Sequence, residues 1–192
     1  MKNRKAARAD GLNSELFKYG GPALSNRLLE LINKCWKERT IAEEWGQARV
    51  KSLFKKGKRD ECSNYRGISL LNSGYMIYSK IITQRFKTIL EAILLEDQNG
   101  FRIGRSCIDN VFTIKLTIET RREFHLETHI AFPDLEKAFD RVNRNQLWQI
   151  LNKRGIPYHV IEVIKSLYKN TSVQIDRGRK ILDKIYINQG VR

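Results

Sequence analysis

The 192-residue sequence is short of cysteine, of long apolar runs and of acid. Its three cysteines, Cys35, Cys62 and Cys107, lie far apart and form no Cys-x-x-Cys pair. An odd, sparse set argues against a secreted disulfide framework and suits a reducing compartment, with the thiols buried or idle. The apolar runs are a few residues long, far below the roughly 20 that cross a bilayer, and no secretory signal is visible. Intracellular residence in cytoplasm and/or nucleus is therefore expected, with neither secretion nor a membrane span. No internal repeat and no low-complexity tract is present. Gly100 and Gly104 make neither a Rossmann nor a P-loop fingerprint, because the spacing is wrong and the lysine is missing. No two aspartates are adjacent anywhere in the chain.

Basic charge is abundant. Lys plus Arg is 36 against 21 for Asp plus Glu, giving a formal net charge of +15 and a pI near 9.9. With 41% hydrophobic residues the chain can bury a core, so it is one folded domain or part of a larger one. A folded protein this basic points to a polyanion, nucleic acid first and an anionic membrane surface second. The charge is clustered. Residues 1–9 hold Lys2, Arg4, Lys5 and Arg8 without an acid, and 49–59 hold Arg49, Lys51, Lys55, Lys56, Lys58 and Arg59 without an acid.

Periodicity predicts an α+β chain. Residues 1–9 read as a flexible basic arm. Asp10 is placed to cap a short helix near Leu12–Tyr19, stopped by Gly20-Gly21. Leu24, Leu28, Leu31, Ile32, Cys35 and Trp36 recur at helical spacing. Residues 47–54 alternate as a strand, 55–65 are polar and charged, and Gly67–Leu71 can return beside the first strand as a hairpin with a basic tip. Asn72 can cap a long helix carrying Ile82, Phe86, Ile89, Leu90, Ile93 and Leu94. Ser106 can cap another with Ile108, Val111, Phe112 and Ile118 inward. Thr128–Phe132 reads as a short strand. Asn143 opens a helix ended by Gly155, Pro157 starts the next, and Val173–Ile187 reads as strand, turn, strand.

The richest stretch is Phe132-Pro133-Asp134-Leu135-Glu136-Lys137-Ala138-Phe139-Asp140. An acid at the end of an apolar strand, followed by a short helix, is what holds Mg²⁺ for phosphoryl transfer with sites left open to phosphate. A strand-end Asp alone is more often a turn former or a cap. On residue type alone, Arg66 and Arg102 are loop cations, Phe139 a core residue and Asp140 a cap or ion-pair acid. His125 and His129, four apart with Glu127 between, would suit zinc on a helix, but they run into a predicted strand and no third ligand is obvious.

The nine-residue string closely resembles motif A of non-LTR (LINE-type) retrotransposon reverse transcriptases. Further blocks are similar and stand in the family's order. Asp10-Gly11-Leu12 through Gly20-Gly21-Pro22-Ala23-Leu24 resembles the lead-in segment. Lys55-Lys56-Gly57 with Asn64-Tyr65-Arg66-Gly67-Ile68-Ser69-Leu70-Leu71 resembles the first fingers motif. Gln98-Asn99-Gly100-Phe101-Arg102-Ile103-Gly104-Arg105-Ser106, with Asp109, resembles the second. Leu147-Trp148, Gly155-Ile156-Pro157 and Leu167-Tyr168 match the stretch after motif A.

The resemblance implies a helix-rich, partial right-hand polymerase fold. Residues 10–125 would be fingers, and 126–192 a partial palm truncated within motif B at Gln189-Gly190. It implies RNA-directed DNA polymerase (nucleotidyltransferase) chemistry, with RNA template, DNA primer and dNTP as partners and Mg²⁺ as cofactor. Asp134 would be the catalytic metal ligand with the Leu135 carbonyl beside it. Lys137 and Ala138 would present backbone amides to the triphosphate, and Phe139 would gate the sugar. Arg66 and Arg102 would reach the triphosphate, where guanidinium forks suit phosphate oxygens. Lys55, Lys56, Lys58, Arg59 and Arg105 would contact nucleic acid.

Two departures matter. Pro133 lacks an amide donor and should perturb the strand that aims Asp134. The remaining palm, the thumb and the Ala-Asp-Asp motif C do not occur within these residues, so one carboxylate stands where two-metal chemistry needs more. The chain alone is expected to be inactive. A motif A strand without its motif C neighbour would leave an open sheet edge unless the terminal hairpin at 173–187 covers it. The alternative is a non-catalytic nucleic-acid-binding fragment or a translated relic.

Overall fold

The computed structural model describes residues 10–176 and 181–191. The expected basic arm, most of the turn expected after Ile175, and Arg192 lie outside the described residues. Those described form six α-helices and a four-stranded sheet, so the α+β expectation holds. No helix among them is long and apolar enough to cross a membrane. The chain divides into two compact units, one running to Arg85 and resuming at Ala138, the other Phe86–Lys137.

The first unit is built on a hairpin. Strand β1 (Gln47–Phe54) pairs antiparallel with β2 (Tyr65–Leu71), from Ala48 opposite Leu71 to Phe54 opposite Tyr65. Its other edge takes β3 (Ser172–Asp176) in parallel, but only along Gln47–Lys51. Strand β4 (Ile185–Tyr186) closes the order β2-β1-β3-β4. Among the described residues, the far half of β1, beyond Lys51, is paired with β2 alone. Of the terminal strand–turn–strand expected from alternation the two strands are present, β3 lying along the edge of β1 and β4 beside β3.

Helices α1 (Ser14–Tyr19), α2 (Gly21–Glu38), α5 (Arg144–Lys153) and α6 (Tyr158–Ser166) also belong to this unit, with most of α3 (Ser73–Glu91). Its core joins Ile32 and Cys35 of α2, Ala48 and Leu71 of the sheet, Tyr75, Tyr78 and Ile82 of α3, and Val163 with Leu167 at α6. Trp45 completes it by lying on the start of α3, where a Cβ on Gly74 would come within 2.5 Å of the indole. Only glycine lets that ring so close. Burial raises the Cys35 thiol pKa, in keeping with an idle thiol, while Cys62 and Cys107 are exposed.

Three local expectations are corrected. Asp10 does not cap α1. Its carboxylate accepts from Ser73 N at 2.7 Å and from Leu12 N at 3.0 Å, so it caps α3 from a distance in sequence. Asn72, the expected cap, joins it by accepting from Gly74 N at 3.0 Å. Thr128–Phe132 forms no strand: it pairs with no described strand, and Phe132 is 76% exposed. Strand geometry needs a ladder partner, and Pro133 supplies no donor toward one.

The third correction lies in α4 (Cys107–Glu123). Ser106 does cap it, reciprocally with Asp109, yet Ile108, Val111, Phe112 and Ile118 are all exposed. With Ile114 and Leu116 they spread over more than half of the helix circumference. No single packed face could take them all.

Candidate functional site

The hairpin tip is held by its backbone and leaves its cations to solvent. Lys55 N donates to Asn64 O at 2.8 Å, and Asn64 Nδ2 donates to Lys58 O at 2.8 Å. Tyr65 Oη donates to Arg59 O at 2.8 Å. Gly57 sits at φ +93°, where a Cβ would strike the Asn64 amide, so the turn requires glycine. Arg59 stacks 5.4 Å from the centroid of Phe54, while Lys55, Lys56 and Lys58 are exposed. Arg66 lies on β2 opposite Leu53 and is also exposed.

In the second unit the two candidate arginines are paired. Arg102 is only 6% exposed at its side chain. Nε and Nη2 both donate to Glu91 Oε1, at 2.9 and 2.6 Å, and Nη1 donates to the carbonyls of Leu95 at 2.8 Å and Gln98 at 3.3 Å. Arg102 thus ties the loop after α3 to the end of that helix. Arg105 donates to Glu96. That hydrogen bond and charge hold the Glu96 carboxyl below its ordinary range and push Arg105 further up.

Asp134 and Leu135 stand in an irregular, exposed segment, with Leu135 at 76%. The short helix expected after Asp134 does not form: residues 136–141 are turns, and Lys137 has φ +52°, a left-handed conformation that breaks a helix. Among the described residues no group of three His, Cys, Asp or Glu side chains could hold a metal ion. His129 meets Glu127 at 3.8 Å, both fully in solvent, and no third ligand joins them. Among the described residues Asp134 as placed does not make a metal site.

The first unit brings residues 139–142 against residues 189–191. Val191 N donates to Phe139 O at 2.9 Å and Gly190 N to Val142 O at 2.9 Å. Gln189 Nε2 donates to Arg141 O at 3.1 Å, across 48 positions of chain. Gly190 has φ +80°, and a Cβ there would lie 2.7 Å from Asp140 O, so the approach depends on glycine. Phe139, Gln189 and Gly190 line an open cavity of about 980 Å³ with Gly67 and Ser69 of β2 and Tyr186. Gly67 adjoins Arg66, so Phe139, the expected gate, and the strand of one triphosphate candidate share one cavity. Asp134, Leu135, Lys137, Arg102 and Arg105 belong to the second unit.

Sequence reasoning passed over Arg144, which reads as an ordinary cation opening α5. Its Nε donates to Gly190 O at 2.8 Å and its Nη1 to Tyr168 O at 3.1 Å and Ile187 O at 3.0 Å. Nη2 reaches Thr171 Oγ1 and Gln189 O, each at 3.3 Å. The guanidinium also lies 5.1 Å from the Tyr168 ring centroid. One sequence signal was available: a cation in the first helical turn opposes the helix dipole and calls for another reason to be there.

The family model described as reverse transcriptase (RNA-dependent DNA polymerase) matches residues 54–192. The chain is 27% identical over its full 192 residues to the transposon TX1 uncharacterized 149 kDa protein of Xenopus laevis, covering 15% of that protein. It is 31% identical over 126 residues, 64% of the chain, to the probable RNA-directed DNA polymerase from transposon X-element of Drosophila melanogaster, covering 14% of it. It is 24% identical over 154 residues, 79% of the chain, to the retrovirus-related Pol polyprotein from type-1 retrotransposable element R2 of Popillia japonica, covering 21% of it. The chain thus spans between a seventh and about a fifth of the length of these relatives.

Proposed function

Since the chain belongs to the reverse transcriptase (RNA-dependent DNA polymerase) family, and to its non-LTR (LINE-type) kind, we propose that it forms the fingers, residues 10–125, and the first part of the palm, 126–192, of a right-hand polymerase that copies RNA into DNA. The observation that carries this is the docking of Gln189-Gly190-Val191 on Phe139–Val142. The end of motif A and the start of motif B share one cavity there, as a nucleotide pocket requires.

In this reading Phe139 lies under the sugar, and the amides of Lys137 and Ala138 meet the triphosphate, with Arg66 approaching along β2. Lys55, Lys56, Lys58, Arg59 and Arg105 follow the RNA template or DNA primer backbone. Arg102, engaged with Glu91, would act by shaping its loop and would reach phosphate only by leaving that carboxylate. Mg²⁺ is the divalent ion proposed, a hard cation that takes oxygen ligands and binds beside substrate phosphates. Asp134 and the Leu135 carbonyl would contribute to its site in a longer polypeptide, working in cytoplasm and/or nucleus.

Primer extension on an RNA template tests the reading. The 192-residue chain should give no product with Mg²⁺ or Mn²⁺. A polypeptide continued through an acidic pair should extend the primer, and Asp134→Ala should abolish that. Extension by the short chain that is lost in Asp134→Ala would overturn the first expectation. Failure of the longer polypeptide would overturn the reading and favour a nucleic-acid-binding fragment, which the exposed basic tip also supports.

A further inference from the structure

We infer that Arg144 is a positioning residue for nucleotide selection: it draws the 187–190 backbone into place, so that Gln189 and Gly190 form the wall that works with Phe139. This rests on the polymerase reading of that cavity. A guanidinium carries five N–H donors in a rigid fork. Arg144 makes five hydrogen bonds, three to carbonyls of Ile187, Gln189 and Gly190 and two to Tyr168 O and Thr171 Oγ1. Arg144 also lines the cavity, but its donors are committed within the protein, so it acts by holding the wall.

The location supports the same role. Arg144 is the first residue of α5, where the helix dipole disfavours a cation. Converging carbonyls offset that cost. They belong to the 187–190 segment on one side and to the turn between α6 and β3 on the other. The fork therefore bridges two parts of the chain that a single point donor cannot span. The wall it holds is the one whose amides bond Phe139 O and Val142 O, and whose Gly190 leaves no room for a Cβ beside Asp140. Release of the fork would let that wall recede from Phe139, and a ring that no longer presses the sugar against a fixed wall cannot sense one hydroxyl.

The test uses Arg144→Lys in the 192-residue protein, which keeps the charge and loses the fork. Amide hydrogen exchange and the binding of dATP and ATP, each with Mg²⁺, are measured in parallel. Wild type should favour dATP. In the variant, the amides of Gly190 and Val191 should exchange about tenfold faster, the scale of one lost charged hydrogen bond, while the β1–β2 ladder is unchanged and the preference for dATP collapses. Unchanged exchange at Gly190 and Val191 overturns the clamp. Faster exchange with the preference intact overturns the role in selection. Wild type that binds neither nucleotide overturns the proposal together with the polymerase reading, whereas a selective wild type and an equally selective variant overturn the proposal alone. Should Arg144→Lys unfold, Gly190→Ala decides: it crowds Asp140 O with the guanidinium intact, and it must also erase the preference.

Discussion

Arg66 and Arg102 carry the same charge, and their motifs imply the same job at a triphosphate, yet the fold treats them differently. Arg66 is exposed on β2, whereas Arg102 is nearly buried and gives four hydrogen bonds to Glu91, Leu95 and Gln98. Hydrogen bonds to charged groups contribute about 1.5–3 kcal/mol each at best and are not additive. Arg102→Ala should therefore cost about 2 kcal/mol of stability, read as a lower urea midpoint. Arg66→Ala, touching no such network, should stay within about 0.5 kcal/mol while weakening dNTP binding. Equal losses of stability would assign both residues to the scaffold. Sequence made the type of these residues legible, because a fork suits phosphate, but not their partners. Glu91 lies on a different element from Arg102, and no pattern in either stretch announces the pair. Arg144 is the same lesson in reverse, since its partners are mostly backbone carbonyls that leave no trace in residue identity.

Helix ends were legible where the cap is local and misread where it is not. Ser106 with Asp109, Asn143 and Asn72 cap where their spacing predicts. Asp10 stands four residues ahead of α1 and serves α3 instead, because chain reversal brings it to Ser73 N, 63 positions away. The local candidate Asn13 makes no side-chain capping hydrogen bond. Asp10→Ala should cost about 1 kcal/mol, and Asn13→Ala should fall within about 0.5 kcal/mol, both measured by urea unfolding. The opposite order would place the stabilising cap at the start of α1 and overturn the role of Asp10 at α3. The hairpin β1–β2 and the terminal strands were legible because alternation marks each strand. Thr128–Phe132 carries a similar apolar pattern and forms none, since a strand exists only with a partner and Pro133 withholds one donor. In α4, a spread of apolar residues passed for one inward face.

At the scale of the whole molecule the governing quantity is charge. The excess of 36 basic over 21 acidic residues gives +15, and part of that excess stands on the hairpin tip, which extends beyond the strand that β3 covers. Its backbone is braced by Asn64 and Tyr65, so Lys55, Lys56 and Lys58 are displayed on a fixed turn and Arg59 beside Phe54. Contacts of this kind are made to phosphate and are indifferent to sequence. Binding to single-stranded RNA should then weaken linearly in log K against log salt, by about 0.7 per phosphate neutralised. Replacing Lys55, Lys56, Lys58 and Arg59 together with serine should lower the slope by up to roughly 3, with similar losses on unrelated RNA sequences. A slope that survives the fourfold change would move the contact surface away from the tip. Affinity indifferent to salt would remove phosphate as the ligand altogether, and with it the simplest reason for a chain this basic.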